Sequence, residues 1–171
     1  GLAFSNGNVC DADAVVASFQ RLQDDAAPRK SEYAGYTFEA VDERTVQATS
    51  SELNVAMLTD FAYAWSAVVD TTVADTLANQ PVGTGPYKVT SWTPQQSVVL
   101  EANPSYWGEA PHIANVELRV LPEATTQASS LRAHDVDLIL AANEQVAAFE
   151  GDTAFQIMQY PMNGVQPMAM N

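Results

Sequence analysis

Few side chains in this 171-residue chain are equipped for covalent chemistry, and their spacing argues against it. Asp135 and Asp137 stand two apart, and alternate residues of an extended strand share a face, so the pair invites comparison with the two carboxylates of acid–base catalysis. No third ligand and no surroundings that would raise one pKa accompany them. A solvated turn followed by a strand cap is the plainer reading. Ser129, Ser130 and His134 form no recognisable triad, and there is no Gly-x-Ser-x-Gly elbow. His112 and His134 lack metal-ligand spacing, so no metal is expected. Cys10 is the only cysteine, which excludes an intramolecular disulfide and reads as a small packed residue, not a redox centre. Gly83-Thr-Gly85 has the look of a phosphate loop, but no Gly-Lys-Ser/Thr follows and Pro86 removes an amide donor, so it is read as a turn. No cofactor is expected, and a binding scaffold suits these residues better than an enzyme.

Two aromatic pairs bear on binding. Tyr33 and Tyr36 fall in a stretch expected to be a loop between the first helix and the first hairpin. Each offers a broad face and one hydroxyl, the equipment for gripping a peptide-like or sugar-like ligand; covering the edge of the core is the competing reading. Tyr106-Trp107, in an Asn-Pro turn, is read as structural, with the rings folded over strand ends.

The elements that must position these residues follow from periodicity. Gly1 to Ser5 reads as a strand running into an Asn6-Gly7 turn. Asp11 suits a helix N-cap, and Ala14, Val15, Ser18, Phe19 and Leu22 recur at helical spacing as far as about Gln23. Tyr36–Val41 and Thr45–Thr49 alternate with period two around a short polar turn, the mark of a hairpin. Leu53 to Trp65, rich in Ala, Leu and Met, is expected to be helical, and 68–79 a loop with a short helix. Beyond the turn at 81–85 the pattern predicts strands at 87–92, 97–102 and 116–121. A helix follows over 124–133, then a short buried strand at 137–140 and a helical turn at 146–150. Two last strands are expected within 155–160 and 165–171. Strands and helices mix without strict alternation, so the fold class is α+β or a mixed α/β arrangement with a mixed sheet.

Composition sets the outer limits. Apolar residues make up 47% of the chain and aromatics 9%, enough for a real core. The formal charge of −14, from 21 acids against 7 bases, opposes binding to nucleic acid or to an anionic membrane and suits an exported, soluble protein. No apolar run reaches the ~18 residues of a membrane span. Residues 1–7 have neither the basic flank nor the apolar stretch of a signal peptide, and the chain is expected to be an internal piece of a longer protein.

Several motifs, in order, resemble the family 5 solute-binding proteins of ATP-driven (ABC) importers, the oligopeptide, dipeptide and nickel-binding group. Phe4-Ser-Asn-Gly7, Ala12-Asp-Ala-Val-Val16 and Ser18-Phe-Gln-Arg-Leu22 are similar to the family's block around its first helix. Gly83-Thr-Gly-Pro-Tyr87 and Asn103-Pro-Ser-Tyr-Trp-Gly108 resemble its most recognisable signatures. Asp135-Val-Asp-Leu-Ile139 is similar to its Gly-Glu-Val-Asp-Leu strand, and Met168-Ala-Met-Asn171 to a closing strand. Asn6 departs from the usual Asp, Ala14 from a common second acid, and His134 from the usual Gly-Glu turn.

The resemblance implies a two-lobed, type II periplasmic-binding-protein-like fold that closes on its ligand. Residues 1–80 would lie in a small inserted domain and 81–171 in part of the first lobe. The loop of Leu140, Ala141, Ala142 and Asn143 would face the cleft, as would Tyr33 and Tyr36. Small side chains there let a ligand approach the backbone, and Asn143 both donates and accepts. The implied function is capture of a peptide or similar solute for a membrane permease, in the periplasm or as a cell-surface lipoprotein, with no nucleic-acid partner. Self-association through uncovered sheet edges or apolar faces is a further expectation. Two alternatives are weighed beside it: the solute-sensing lobe of a DNA-binding regulator, and a hydrolase using acidic residues.

Overall fold

A computed structural model describes residues 1–24, 27–141 and 143–158, with the backbone alone described at 143 and 144. The chain forms two compact units, Gly1–Arg119 and Val120–Asn171.

The first unit opens with a tight hairpin. Ala3 bridges Val9, and Gly7 takes a φ of +91°, a value that favours a residue without a Cβ. Helix α1, Ala12–Gln20, then starts as expected: Asp11 accepts a hydrogen bond from the Ala14 amide at 3.0 Å, and the Ala12 amide donates to the Glu43 carbonyl. Its last turn tightens into a 3-10 segment, Arg21–Gln23. A single helical turn, α2 (Lys30–Tyr33), leads to strand β1 (Tyr36–Asp42), which pairs antiparallel with β2 (Thr45–Ser50). The Arg44 amide donates to Asp42 at 2.8 Å and fixes the turn.

Period-two alternation on β1 buries Tyr36 and Phe38 and exposes Thr37 and Glu39. The buried face meets α1: Leu22, Tyr33, Tyr36 and Phe38 form the core, with Phe19, Phe61 and Trp65 packed around it. Phe19 stacks on Phe38 at 4.8 Å between ring centres, and Phe61 leans on both. Such ring pairs each add about 0.5–1.5 kcal/mol beyond the apolar area they remove from water.

The helix expected over Leu53 to Trp65 is not formed. Only Met57–Asp60 (α3) is α-helical, with a 3-10 turn at Ala64–Ser66. Asn54 is the cause: its side-chain oxygen takes the Ala56 amide at 2.8 Å, an Asx turn that competes with helical bonding. Leu53, Val55 and Leu58 consequently face outward.

A second sheet completes the unit in the order β3 (Tyr87–Thr93), β4 (Ser97–Ala102), β5 (Asn115–Arg119), all antiparallel. Gln95 at φ +61° turns β3 into β4.

The second unit contains α4 (Ala124–Arg132) and α5 (Asn143–Val146). Helix α4 ends in a Schellman motif: the Asp135 amide donates to the Ser130 carbonyl, the His134 amide to that of Leu131, and His134 sits at φ +59°. The strand expected at 137–140 is absent. No strand pairs with it among the described residues, and Leu138 and Leu140 are 67% and 90% exposed instead of buried. Residues 155–158 are likewise not a strand, and the rest of that expected strand and the one within 165–171 lie outside the described residues. Phe149 is this unit's buried anchor, with Phe155 edge-on to it at 5.0 Å and the Arg132 guanidinium 4.9 Å from its ring centre.

Candidate functional site

The two sequence-predicted tyrosines are brought together, but inside the first unit's core. Neither lies in a loop: Tyr33 closes α2 and Tyr36 opens β1, because the segment after Pro28 coils once instead of running free. Tyr33 is fully buried, and its hydroxyl bonds to Ser66 Oγ and to the Asp60 carbonyl. The Tyr36 hydroxyl donates to Asp60 Oδ2 at 3.1 Å and accepts from Asn54 at 2.6 Å. Burial, and then the bond to Asp60, push the Tyr36 phenol above its ordinary pKa. Both rings therefore serve the core as it stands, and their hydroxyls are already matched.

Leu140 and Ala141 lie on exposed, irregular chain in the second unit, between α4 and α5. Ala142 lies outside the described residues, and Asn143 is described only by its backbone, as the first residue of α5. Gln145 donates to the Ala124 carbonyl at 2.6 Å, which ties α5 to the start of α4. This segment thus ends on a fixed helical turn while its side chains at 140 and 141 remain uncovered.

The signature motifs turn out to be joints. Asn103, buried at the end of β4, donates from its side chain to the Gly85 carbonyl at 2.8 Å and from its amide to the Pro86 carbonyl at 2.8 Å; its own side-chain oxygen accepts from the Ser105 amide. One asparagine thereby clasps the Gly-Thr-Gly-Pro turn to the Asn-Pro-Ser-Tyr-Trp turn. Gly83 bridges Val69, and its carbonyl accepts from the Ser5 amide at 2.9 Å, so the opening block meets the same turn. At Gly108 a Cβ would come within 2.8 Å of the Tyr106 ring, which explains the glycine after the Trp. Trp107 itself is 68% exposed, contrary to the expectation that it folds over strand ends, and its ring centre lies 5.3 Å from that of Tyr106.

Two buried polar residues were missed from sequence. Asp70, 2% exposed, accepts from Asn6 at 2.8 Å, Asn8 at 2.7 Å, and the Thr72 amide and hydroxyl. Burial alone would raise its pKa; the Thr72, Asn6 and Asn8 hydrogen bonds outweigh burial and hold it at about 2. Ser18, on the buried side of α1, takes the Val69 amide at 2.9 Å. The Asp70-x-Thr72 spacing of a side-chain turn was the available signal for the first.

The remaining chemistry-bearing residues stay apart. Asp135, Asp137, His112 and His134 are exposed. Burial, with Asp11 and Asp70 nearby, pushes the buried Cys10 thiol upward and away from the reactive thiolate. Among the described residues no three His, Cys, Asp or Glu groups gather as metal ligands.

Comparison with known families decides the matter: the model of the bacterial extracellular solute-binding proteins, family 5 middle region, matches residues 1–171. The chain belongs to this family. Among curated relatives, this family 5 chain is 27% identical to the probable D,D-dipeptide-binding periplasmic protein DdpA of Escherichia coli K12 over 179 aligned residues, covering 98% of this chain and 35% of that one. Heme-binding protein A of Haemophilus influenzae is 26% identical over 185 residues, covering 94% and 34%. Among solved structures, the nickel ABC transporter protein from Bacillus halodurans superposes with a TM-score of 0.80 at 25% identity, covering 90% of this chain and 32% of that one. MoaA of A. tumefacien R10, in complex with mannopinic acid, gives 0.73 at 27%, covering 80% and 29%. The mixed α+β architecture is thus that of the part of the periplasmic-binding-protein fold that the chain spans, about a third of its relatives' length.

Proposed function

We propose that the chain is part of an extracytoplasmic solute-binding protein that captures a peptide or similar solute reversibly between two lobes and hands it to the permease of an ABC importer. The observation that carries this reading is the family match over residues 1–171 combined with an exposed backbone outside any helix or strand at Leu140 and Ala141. A ligand held through its own main chain needs such a backbone, because main-chain bonds tolerate varied ligand side chains. The dipeptide in the name of the Escherichia coli relative supports a peptide as the solute. In this reading residues 1–80 belong to a small inserted domain and 81–171 to the first lobe. Leu140, Ala141, Ala142 and Asn143 then touch the solute directly. Tyr33 and Tyr36, with their hydroxyls matched inside the core, keep the first unit's own framework rigid. The protein works in the periplasm or as a surface lipoprotein, and the leucines left outward at 53, 58, 138 and 140 give residues 1–171 alone a tendency to self-associate.

The test is Ala141→Trp in the full-length protein, with peptide affinity measured by calorimetry. Filling the approach to the backbone should weaken binding on the order of tenfold, the equivalent of about 1.4 kcal/mol, with the melting temperature unchanged because residue 141 is exposed. Unchanged affinity would remove this segment from the site.

A further inference from the structure

A second binding feature lies in the first unit, separate from every residue assigned to solute capture above. The end of α1, the chain beyond it and residues 64–69 surround a cavity of about 550 Å³. Leu22, Ala67 and Val69 make its walls apolar, while Arg21, Arg29 and Trp65 supply donors. Three of the chain's seven basic residues, Arg21, Arg29 and Lys30, fall within ten positions here, against a net charge of −14 overall. Asp24, exposed, is a carboxylate that shares the wall.

The donors are not equally occupied. Arg29 lies 3.8 Å from the Trp65 ring centre and pairs with Glu32 at 2.6 Å, while Tyr63 stacks on the same indole at 4.2 Å and 14°. These contacts engage the face of the indole and not its N–H. Yet Trp65 Nε1 and Arg21 Nε are both shut off from solvent without a hydrogen-bond partner among the described residues. Buried donors are nearly always matched, and an unmatched charged one is the costlier case. Two orphan donors on one cavity call for a single acceptor-only group.

We propose that this cavity binds a small monocarboxylate with an apolar body. A carboxylate has two acceptor oxygens and no donor, the chemistry that each of these N–H groups lacks, and the planar guanidinium edge of Arg21 suits it better than an ammonium would. The apolar body lies along Leu22, Ala67 and Val69. A modest turn of either donor side chain at the cavity wall brings its N–H to the ligand.

Hexanoate is the probe, titrated into the 171-residue chain by calorimetry, with hexan-1-ol as the matched ligand lacking the charge. Hexanoate should bind saturably, at least about tenfold more tightly than the alcohol, and less tightly as salt is raised. Trp65→Phe keeps the ring and removes only the N–H, and should weaken hexanoate about fivefold. Arg21→Met should weaken it more than tenfold. Melting curves run alongside; if Arg21→Met fails to fold, Trp65→Phe still decides. Absence of saturable hexanoate binding, equal binding of the alcohol, or unchanged affinity in Trp65→Phe overturns the proposal.

Discussion

At Asp70 a carboxylate is held inside the first unit by four donors, and the residues that supply them explain a departure from the family pattern. Asn6 stands where the resemblance leads one to expect Asp, and here its amide donates directly to Asp70 Oδ2. An Asp at position 6 would set two carboxylates against each other in a buried site. Because the folded pKa, about 2, lies below the ordinary 3.8, ionised Asp70 contributes stability that is complete above about pH 4. That contribution is lost as the pH falls through about 2, and its size is on the order of 2–3 kcal/mol. Asp70→Asn, which turns an acceptor into a donor facing other donors, should cost about 2–4 kcal/mol at neutral pH. Urea unfolding at about pH 7 and again near pH 2 checks it: the gap between wild type and variant should narrow in acid, and a constant gap would show that the charge is irrelevant. His134 is the opposite case, a side chain in a position made for glycine. His134→Gly should stabilise the protein by about 0.5–1 kcal/mol by relieving the left-handed conformation at the end of α4, and a lowered melting temperature would contradict that reading.

Among elements, those governed by neighbours in sequence were legible and those governed by distant partners were not. Helix α1 with its Asp11 cap, the β1–β2 hairpin and the β3–β4 pair were all readable, since each depends on spacing and turn residues within about ten positions. The supposed helix at 53–65 failed because one side chain, Asn54, captured a backbone amide, an event that average helix propensity does not register. The supposed strand at 137–140 failed for a different reason: apolar residues in a row indicate a strand only when another strand is there to bond it. The site was less legible than the fold. Tyr33 and Tyr36 were singled out for ligand binding, but their hydroxyls are used within the core, and Asn103's role as a clasp needed coordinates to see. Asn103→Ala should cost about 2–3 kcal/mol, since it leaves the Gly85 carbonyl and the Ser105 amide without their partner. Hydrogen exchange should show faster opening at Ser105 and at the start of β3. Unchanged protection there would mean that the two signature turns stand independently.

For the molecule as a whole, the description that fits is a scaffold whose buried polar groups hold backbone in place. Among the described residues the buried polar groups are Asp70, Ser18, Ser66 and Asn103, each bonded to a distant part of the chain or to the turn beside it. The net charge of −14 sets up a field that opposes binding to polyanions. In the proposed reading, solute capture depends on surfaces that close over one another, and the chain spans about a third of the length of the relatives it matches. The decisive measurement is a calorimetric titration of tri- and tetrapeptides into the full-length product of the gene, run beside residues 1–171 alone. The account predicts saturable binding by the full-length protein and weak or no binding by residues 1–171. Micromolar peptide binding by residues 1–171 alone, or no solute binding by the full-length protein, would contradict it.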